Sequence, residues 1–169
     1  MIIQQKIGNI NAIDPGDRTI DWLPLEWFET SKRILRKRTQ SGQEIALKFL
    51  AENPQLTQGD VLYETDQMLI VVEVLPCDVL VIRPTSMYEM ASVCYEIGNK
   101  HLPLFFDEDT VLAPFEAPLF RLLTASGYAV EQQQRKLLQP LKTTVLPHGP
   151  TNGSESLFSK ILKLTTSPE

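Results

Sequence analysis

Short apolar stretches separated by turn residues fill the first 75 residues of the chain. Runs of this length, in which polar positions alternate with apolar ones, are typical of β-strands. The clearest pair forms a hairpin from Ser31 to Leu50, where Gly42 supplies the permissive backbone of the turn. The pattern predicts six short strands in a small sandwich or barrel. The expected strands are 1–7, 19–23, 33–39, 44–49, 60–63 and 68–75.

The periodicity changes after Pro76. Cys77–Ile82 is an apolar run that predicts a buried strand. A helix follows, with Ser86 or the threonine before it as its N-cap, and Gly98 and Asn99 are expected to end it in a left-handed cap. Its apolar positions recur at helical spacing and predict one inward face. These positions are Met87, Met90, Ala91, Cys94 and Ile97.

Two strands, a second helix and a last strand complete this part of the chain. They are expected at 102–106, 111–115, 117–126 and 128–138. An acidic loop joins the two strands, and the second helix is expected to turn Leu119, Leu122 and Leu123 inward and to stop at Gly127. The order β-α-β-β-α-β is the ferredoxin-like arrangement.

The pattern as a whole predicts an α+β protein in three parts. A small all-β domain spans 1–75, a ferredoxin-like domain spans 76–140, and a flexible tail spans 141–169. The tail is rich in proline and glycine and has only a weak apolar pattern, with a short helix expected near 157–162.

Composition narrows the class of protein. The chain has 169 residues, 43% of them hydrophobic, which is ordinary for a soluble globular protein. A net charge of −5 disfavours nucleic acid and anionic membranes as partners. The sequence shows neither a secretory signal nor an apolar run of roughly 20 residues, so we expect a cytoplasmic protein with no membrane span. Cys77 and Cys94 are expected to stay reduced.

The chain carries no catalytic motif that we recognise, and we expect that it is not an enzyme. Cys94 and His101 could be imagined as a nucleophilic pair, but Cys94 lies on the apolar helix face, where a buried inert thiol is expected. A small hydrolase on a ferredoxin-like fold would need an anion-binding loop with a nearby arginine, and none is apparent.

Five cations crowd the third predicted strand: Lys32, Arg33, Arg36, Lys37 and Arg38. Such a cluster is most simply a solvated strand face. The alternative is a docking patch for an acidic protein, since the acidity of the whole chain disfavours nucleic acid.

Only two histidines are present, His101 and His148, so a closed zinc site within one chain is excluded. His101 follows the predicted helix and either caps its carbonyls or presents a metal ligand suited to Ni²⁺ or Zn²⁺. One imidazole holds such an ion weakly, so the second interpretation requires two copies of His101 across a two-fold axis. His148 either adds a ligand or has no role.

The residues around His101 point to a family. The stretch Cys94–Leu104, which reads CYEIGNKHLPL, resembles the G-N-[RK]-H segment of the urease accessory metallochaperones called UreE. Segments 25–33, 39–42 and 56–62 also resemble that family in order and spacing, and the resemblance covers roughly residues 1 to 150.

The resemblance implies a homodimeric nickel carrier. Its N-terminal β domain would contact partner proteins, and its ferredoxin-like domain would bind metal. The family role that carries over to His101 is coordination of a shared nickel or zinc ion at the dimer interface, and His148 is the candidate additional ligand. The implied partners are the urease accessory GTPase and the urease assembly complex.

The sequence departs from the family in two places. It lacks a histidine-rich tail, and segment 114–118 lacks the histidine pair found in some members. These departures predict one interfacial site per dimer rather than a metal store. The preference between nickel and zinc, the number of ligands, and a dimer or tetramer remain open. The alternative function is a metal-independent interaction module in which His101 is incidental.

Overall fold

The computed structural model describes residues 1–50 and 54–141. This part of the chain contains eleven strands and two helices, and the α+β class predicted from the sequence is confirmed. The bounds are β1 Ile2–Ile3, β2 Gly8–Asn9, β3 Thr19–Leu25, β4 Ile34–Arg38, β5 Glu44–Lys48, β6 Asp60–Glu64, β7 Met68–Val74, β8 Cys77–Ile82, α1 Met87–Asn99, β9 Phe105–Asp107, β10 Thr110–Pro114, α2 Ala117–Ala125 and β11 Val130–Arg135. One 3₁₀ turn, Trp27–Glu29, was not predicted.

Two sheets form the N-terminal domain. One has the strand order β1-β5-β4 and the other β2-β6-β7-β3. Alternate residues of both sheets enter a shared apolar core, as expected for a sandwich, and Leu23, Leu47 and Ile70 in it are fully buried. The predicted hairpin is confirmed: β4 pairs antiparallel with β5, and Gly42 has φ +91° at the turn.

A buried carboxylate fixes this hairpin against the second sheet. Asp21 of β3 is only 6% exposed. Its two oxygens accept hydrogen bonds from the Ser41 amide at 3.0 Å and the Ser41 hydroxyl at 2.6 Å. Burial acts to raise the pKa of Asp21, but the bonds from Ser41 and Thr39 outweigh it and leave that pKa below its ordinary value.

The C-terminal domain has one antiparallel sheet of order β11-β8-β10-β9. Its first strand lies between its third and fourth, so the predicted ferredoxin-like arrangement is present. One face of the sheet packs against α1 and α2 through residues such as Leu80 and Ile82. Val79 and Val81 point to the other face and join a cluster that includes Trp27 of the N-terminal domain.

The inward face of α1 differs from the predicted one. Val93 and Ile97 are fully buried, with Met90 and Cys94 beside them. Met87 is 86% exposed and Ala91 is also exposed, so their predicted burial was wrong. The buried set has the spacing i, i+3, i+4 and i+7, which identifies the face that meets the sheet.

Helix α2 shows a smaller difference. Leu119 and Leu123 are buried as predicted, whereas Leu122 is exposed. Leu119 and Leu123 are four residues apart and therefore lie on one side of the helix. Leu122 directly precedes Leu123, and one residue rotates its side chain by about 100°, toward solvent. Gly127 has φ +82° just beyond the helix and is the predicted stop.

The predicted domain boundaries at 75 and 140 stay predictions. The expected tail, with its short helix and His148, lies outside the described residues apart from Leu141. Neither helix of the described chain is both long and apolar enough to span a membrane.

Candidate metal centre

Helix α1 ends in a Schellman cap, which fixes the backbone of His101. The Leu102 amide donates to the Ile97 carbonyl at 3.3 Å, and the His101 amide donates to the Gly98 carbonyl at 2.9 Å. These bonds satisfy carbonyls that the last helical turn otherwise leaves without a partner. Leu102 packs against the buried cluster that contains Ile97, which is the apolar contact typical of this cap.

His101 itself occupies the left-handed position of the cap, with φ +56°. Glycine is usual there, because a Cβ approaches the next carbonyl oxygen at a cost of roughly 1–2 kcal/mol. The prediction that Gly98 or Asn99 takes the left-handed conformation was wrong, since both residues lie within the helix. A histidine therefore stands where the fold alone favours glycine.

The imidazole of His101 is exposed at this corner. It takes part in no hydrogen bond or ion pair with the side chains of residues 1–50 and 54–141. Within the same residues, no group of three or more His, Cys, Asp or Glu side chains is placed to hold a metal ion. The described part of one chain thus contributes a single exposed imidazole here, and His148 lies outside that part.

An uncharged face of α1 leads to this corner. Tyr88 and Tyr95 are 79% and 68% exposed, and Ala91 and Gly98 are exposed between and beyond them. Positions 88, 91, 95 and 98 are separated by steps of three, four and three residues and alternate large with small side chains, a pattern typical of helix faces that pack on another helix. Sequence reasoning took Ala91 as core, although this alternation was visible in the sequence.

Gly98 has no role in the packing of the described residues. A Cβ placed on it would meet nothing within 4 Å, and its φ is not in the left-handed region. Glycine inside a helix costs roughly 0.5–1 kcal/mol relative to alanine. Gly98 and His101 therefore both depart from the residue that local stability favours, and they do so at one exposed corner. Such departures are expected where a residue serves function rather than folding.

The two cysteines are poor candidates for this site. Both are free, and Cys94 points its sulfur toward Met90, with the two sulfur atoms 3.9 Å apart. Burial raises the pKa of the Cys94 thiol. Burial, and then the carboxylates of Glu26 and Asp78, raise the pKa of Cys77. Both thiols are therefore protonated near neutral pH, whereas metal ligation requires the thiolate.

The cationic strand is largely paired within the domain. Lys37 Nζ lies 2.7 Å from Glu29 Oε2, and Arg38 forms an ion pair with Glu44. Lys32 lies over the ring of Phe28, with 5.4 Å between its Nζ and the ring centroid. These contacts give the cluster a local role in the N-terminal domain, and the docking patch stays a prediction.

Family models cover nearly the whole chain. The model for the UreE urease accessory protein N-terminal domain matches residues 3–75, and that for its C-terminal domain matches residues 77–155. The chain belongs to the UreE family of urease accessory proteins. The second match contains the corner at His101, so the UreE resemblance and the local geometry concern the same residues.

Individual UreE proteins agree with this assignment. The chain is 49% identical to the urease accessory protein UreE of Flavobacterium johnsoniae over 164 residues, which is 97% of this chain and 99% of that one. It is 40% identical to the UreE of Haemophilus influenzae strain PittEE, over 83% of this chain and 78% of that one. It is 42% identical to the UreE of Helicobacter hepaticus, over 79% of this chain and 78% of that one.

Proposed function

We propose that this UreE-family protein is a nickel metallochaperone that binds one Ni²⁺ at a homodimer interface and delivers it during assembly of the urease active site. The two His101 imidazoles, one from each copy, are its central ligands. Zn²⁺ suits the same ligands and is the expected competing ion.

The geometry of His101 is the observation that carries this proposal. The imidazole is exposed and its backbone is held by two hydrogen bonds at the end of α1. The uncharged face of α1 ends at the same corner, so two copies that pack through this face would bring their His101 rings together. A two-fold axis makes every contact reciprocal, and it supplies the second ligand that one chain lacks.

A site with few neutral ligands suits delivery. Two imidazoles leave coordination positions open, through which a ligand of the recipient protein can enter before the donor leaves. His148 from one or both chains is proposed to complete the shell when the ion is retained. Imidazole must be neutral to bind, so acid is expected to weaken nickel binding.

The proposed recipient is the urease accessory GTPase, acting within the urease assembly complex in the cytoplasm. This part of the proposal is supported by family membership and by the relatives' designation as urease accessory proteins. The competing function, a metal-independent interaction module, requires nickel binding to be absent or independent of His101.

Titration calorimetry of nickel into tag-free protein separates these functions. We expect about one ion per two chains for the wild type, and loss of that tight site in His101→Ala and in His101→Gly. Glycine fits the left-handed backbone, so a loss of nickel binding in His101→Gly cannot be attributed to misfolding. Lys100→Ala is the neighbouring control and should bind as the wild type does. Unchanged affinity and stoichiometry in both His101 variants would refute the proposal.

A further inference from the structure

We infer that Gly98 is a positioning residue of the metal site: its missing side chain lets the second copy approach closely enough for two His101 side chains to share one ion. The inference rests on the proposed function, because that function requires a second copy of the chain to supply the second His101 ligand. Gly98 would then control the distance between the two copies without itself contacting the metal ion.

The first step concerns the single chain. Apart from the adjacent residues and the backbone of the helix itself, nothing in the described chain lies within 4 Å of a Cβ placed at Gly98, so the packing of the described residues does not exclude alanine. The left-handed residue of the cap is His101, so the cap does not require glycine at 98 either. A residue with no internal reason to be glycine, on an exposed helix face, indicates a close approach from outside.

The second step concerns the direction of that approach. Gly98 lies seven residues from Ala91, which places both on one side of α1, and it lies three residues before His101 at the C-terminal end of the helix. Tyr88 and Tyr95 alternate with these small positions. Large side chains on one copy can enter the gaps above small residues on the other, and a two-fold axis makes this fit reciprocal.

The third step concerns charge. The whole chain carries −5, so two copies repel each other unless they meet through an uncharged surface. The carboxylates of α1 belong to Glu89 and Glu96. Glu96 is two residues from Gly98, which places it about 160° around the helix. The row that ends at Gly98 is therefore free of helix carboxylates, which favours a second copy as its occupant.

The test compares Gly98→Ala and Gly98→Leu, both good helix formers of increasing size, with Glu96→Ala on the opposite side of α1. For each protein, thermal unfolding and sedimentation velocity are measured without metal, and nickel binding is measured by titration calorimetry. We expect Gly98→Ala to raise the melting temperature of the metal-free protein at dilutions where it is monomeric, and to weaken both dimerisation and nickel binding about tenfold. Gly98→Leu should weaken them further, and Glu96→Ala should leave both near wild type.

The outcomes separate this inference from the proposed function. Suppose that the wild type binds nickel and that both Gly98 variants match it in dimerisation and in nickel affinity. That result would overturn the inference and leave the nickel function standing. A lower melting temperature for Gly98→Ala, measured at dilutions where the metal-free protein is monomeric, would also overturn it, because the single chain would then need the glycine. Absence of nickel binding in the wild type would instead refute the function on which the inference depends.

Discussion

Replacing His101 by glycine removes an imidazole and a strained backbone in one step. His101 has φ +56°, and a Cβ there costs roughly 1–2 kcal/mol. Glycine relieves that strain but has greater freedom in the unfolded chain, which offsets about 0.5–1 kcal/mol. The net expectation is a gain of about 0.5–1 kcal/mol in the free energy of unfolding. For a chain of 169 residues this raises the melting temperature by about 1–4 °C.

His101→Ala is the matched control for this prediction. Alanine also lacks the imidazole but keeps a Cβ in the left-handed region, so the strain remains and the melting temperature should stay near that of the wild type. Scanning calorimetry of metal-free protein, checked by urea unfolding, measures the difference. The Schellman cap is made by backbone atoms and is retained in both variants.

The reasoning fails if His101→Gly melts below the wild type, because the imidazole would then stabilise the fold through contacts of its own. It also fails if His101→Ala is stabilised as much as His101→Gly, since relief of backbone strain would not be the cause. The predicted melting temperature of His101→Gly is above those of the wild type and of His101→Ala. Neither variant is expected to retain the tight nickel site.

Two further predictions concern groups away from the metal site. Asp21→Asn should lower the free energy of unfolding at neutral pH by about 1–3 kcal/mol, since Ser41 then bonds a neutral group. The pKa of Asp21 lies below its ordinary value of 3.8 in the folded chain, so its stabilisation is present above that value and is lost as pH falls through the folded pKa. Urea melts from pH 7 to pH 2 should show this loss in the wild type and a smaller one in Asp21→Asn. Cys94→Ala should bind nickel as the wild type does, and calorimetry showing a weaker site would contradict the placement of its sulfur beside Met90.

Much of the fold was predictable because the relevant signals are local. Alternating apolar residues and the glycine at position 42 specify the hairpin, and that glycine indeed has φ +91°. The order of strands and helices after Pro76 follows from the change of periodicity, and it leads to the ferredoxin-like sheet.

The orientation of α1 was predicted only in part, for a physical reason. The helix has two apolar faces, one with Val93 and Ile97 against the sheet and one with Tyr88 and Ala91 in solvent. A face that packs in the core and a face available to a second copy carry similar residues, so periodicity alone did not distinguish them.

The candidate site was found from residue type and resemblance rather than from local structure rules. Those rules place a glycine in the left-handed cap, yet the chain has a histidine there and a glycine three residues earlier, inside the helix. A site that is completed by symmetry, as we propose for His101, cannot be read from the ligands of one chain, which is why two histidines first indicated only that a closed zinc site is absent.

Native mass spectrometry of the nickel-loaded protein tests the central claim most directly, because it counts chains and ions in the same particle. The account predicts a dimer that carries one nickel ion in the wild type and a metal-free particle for His101→Gly under the same loading. A monomer that retains nickel, or a His101→Gly protein that still carries one ion per dimer, would contradict it.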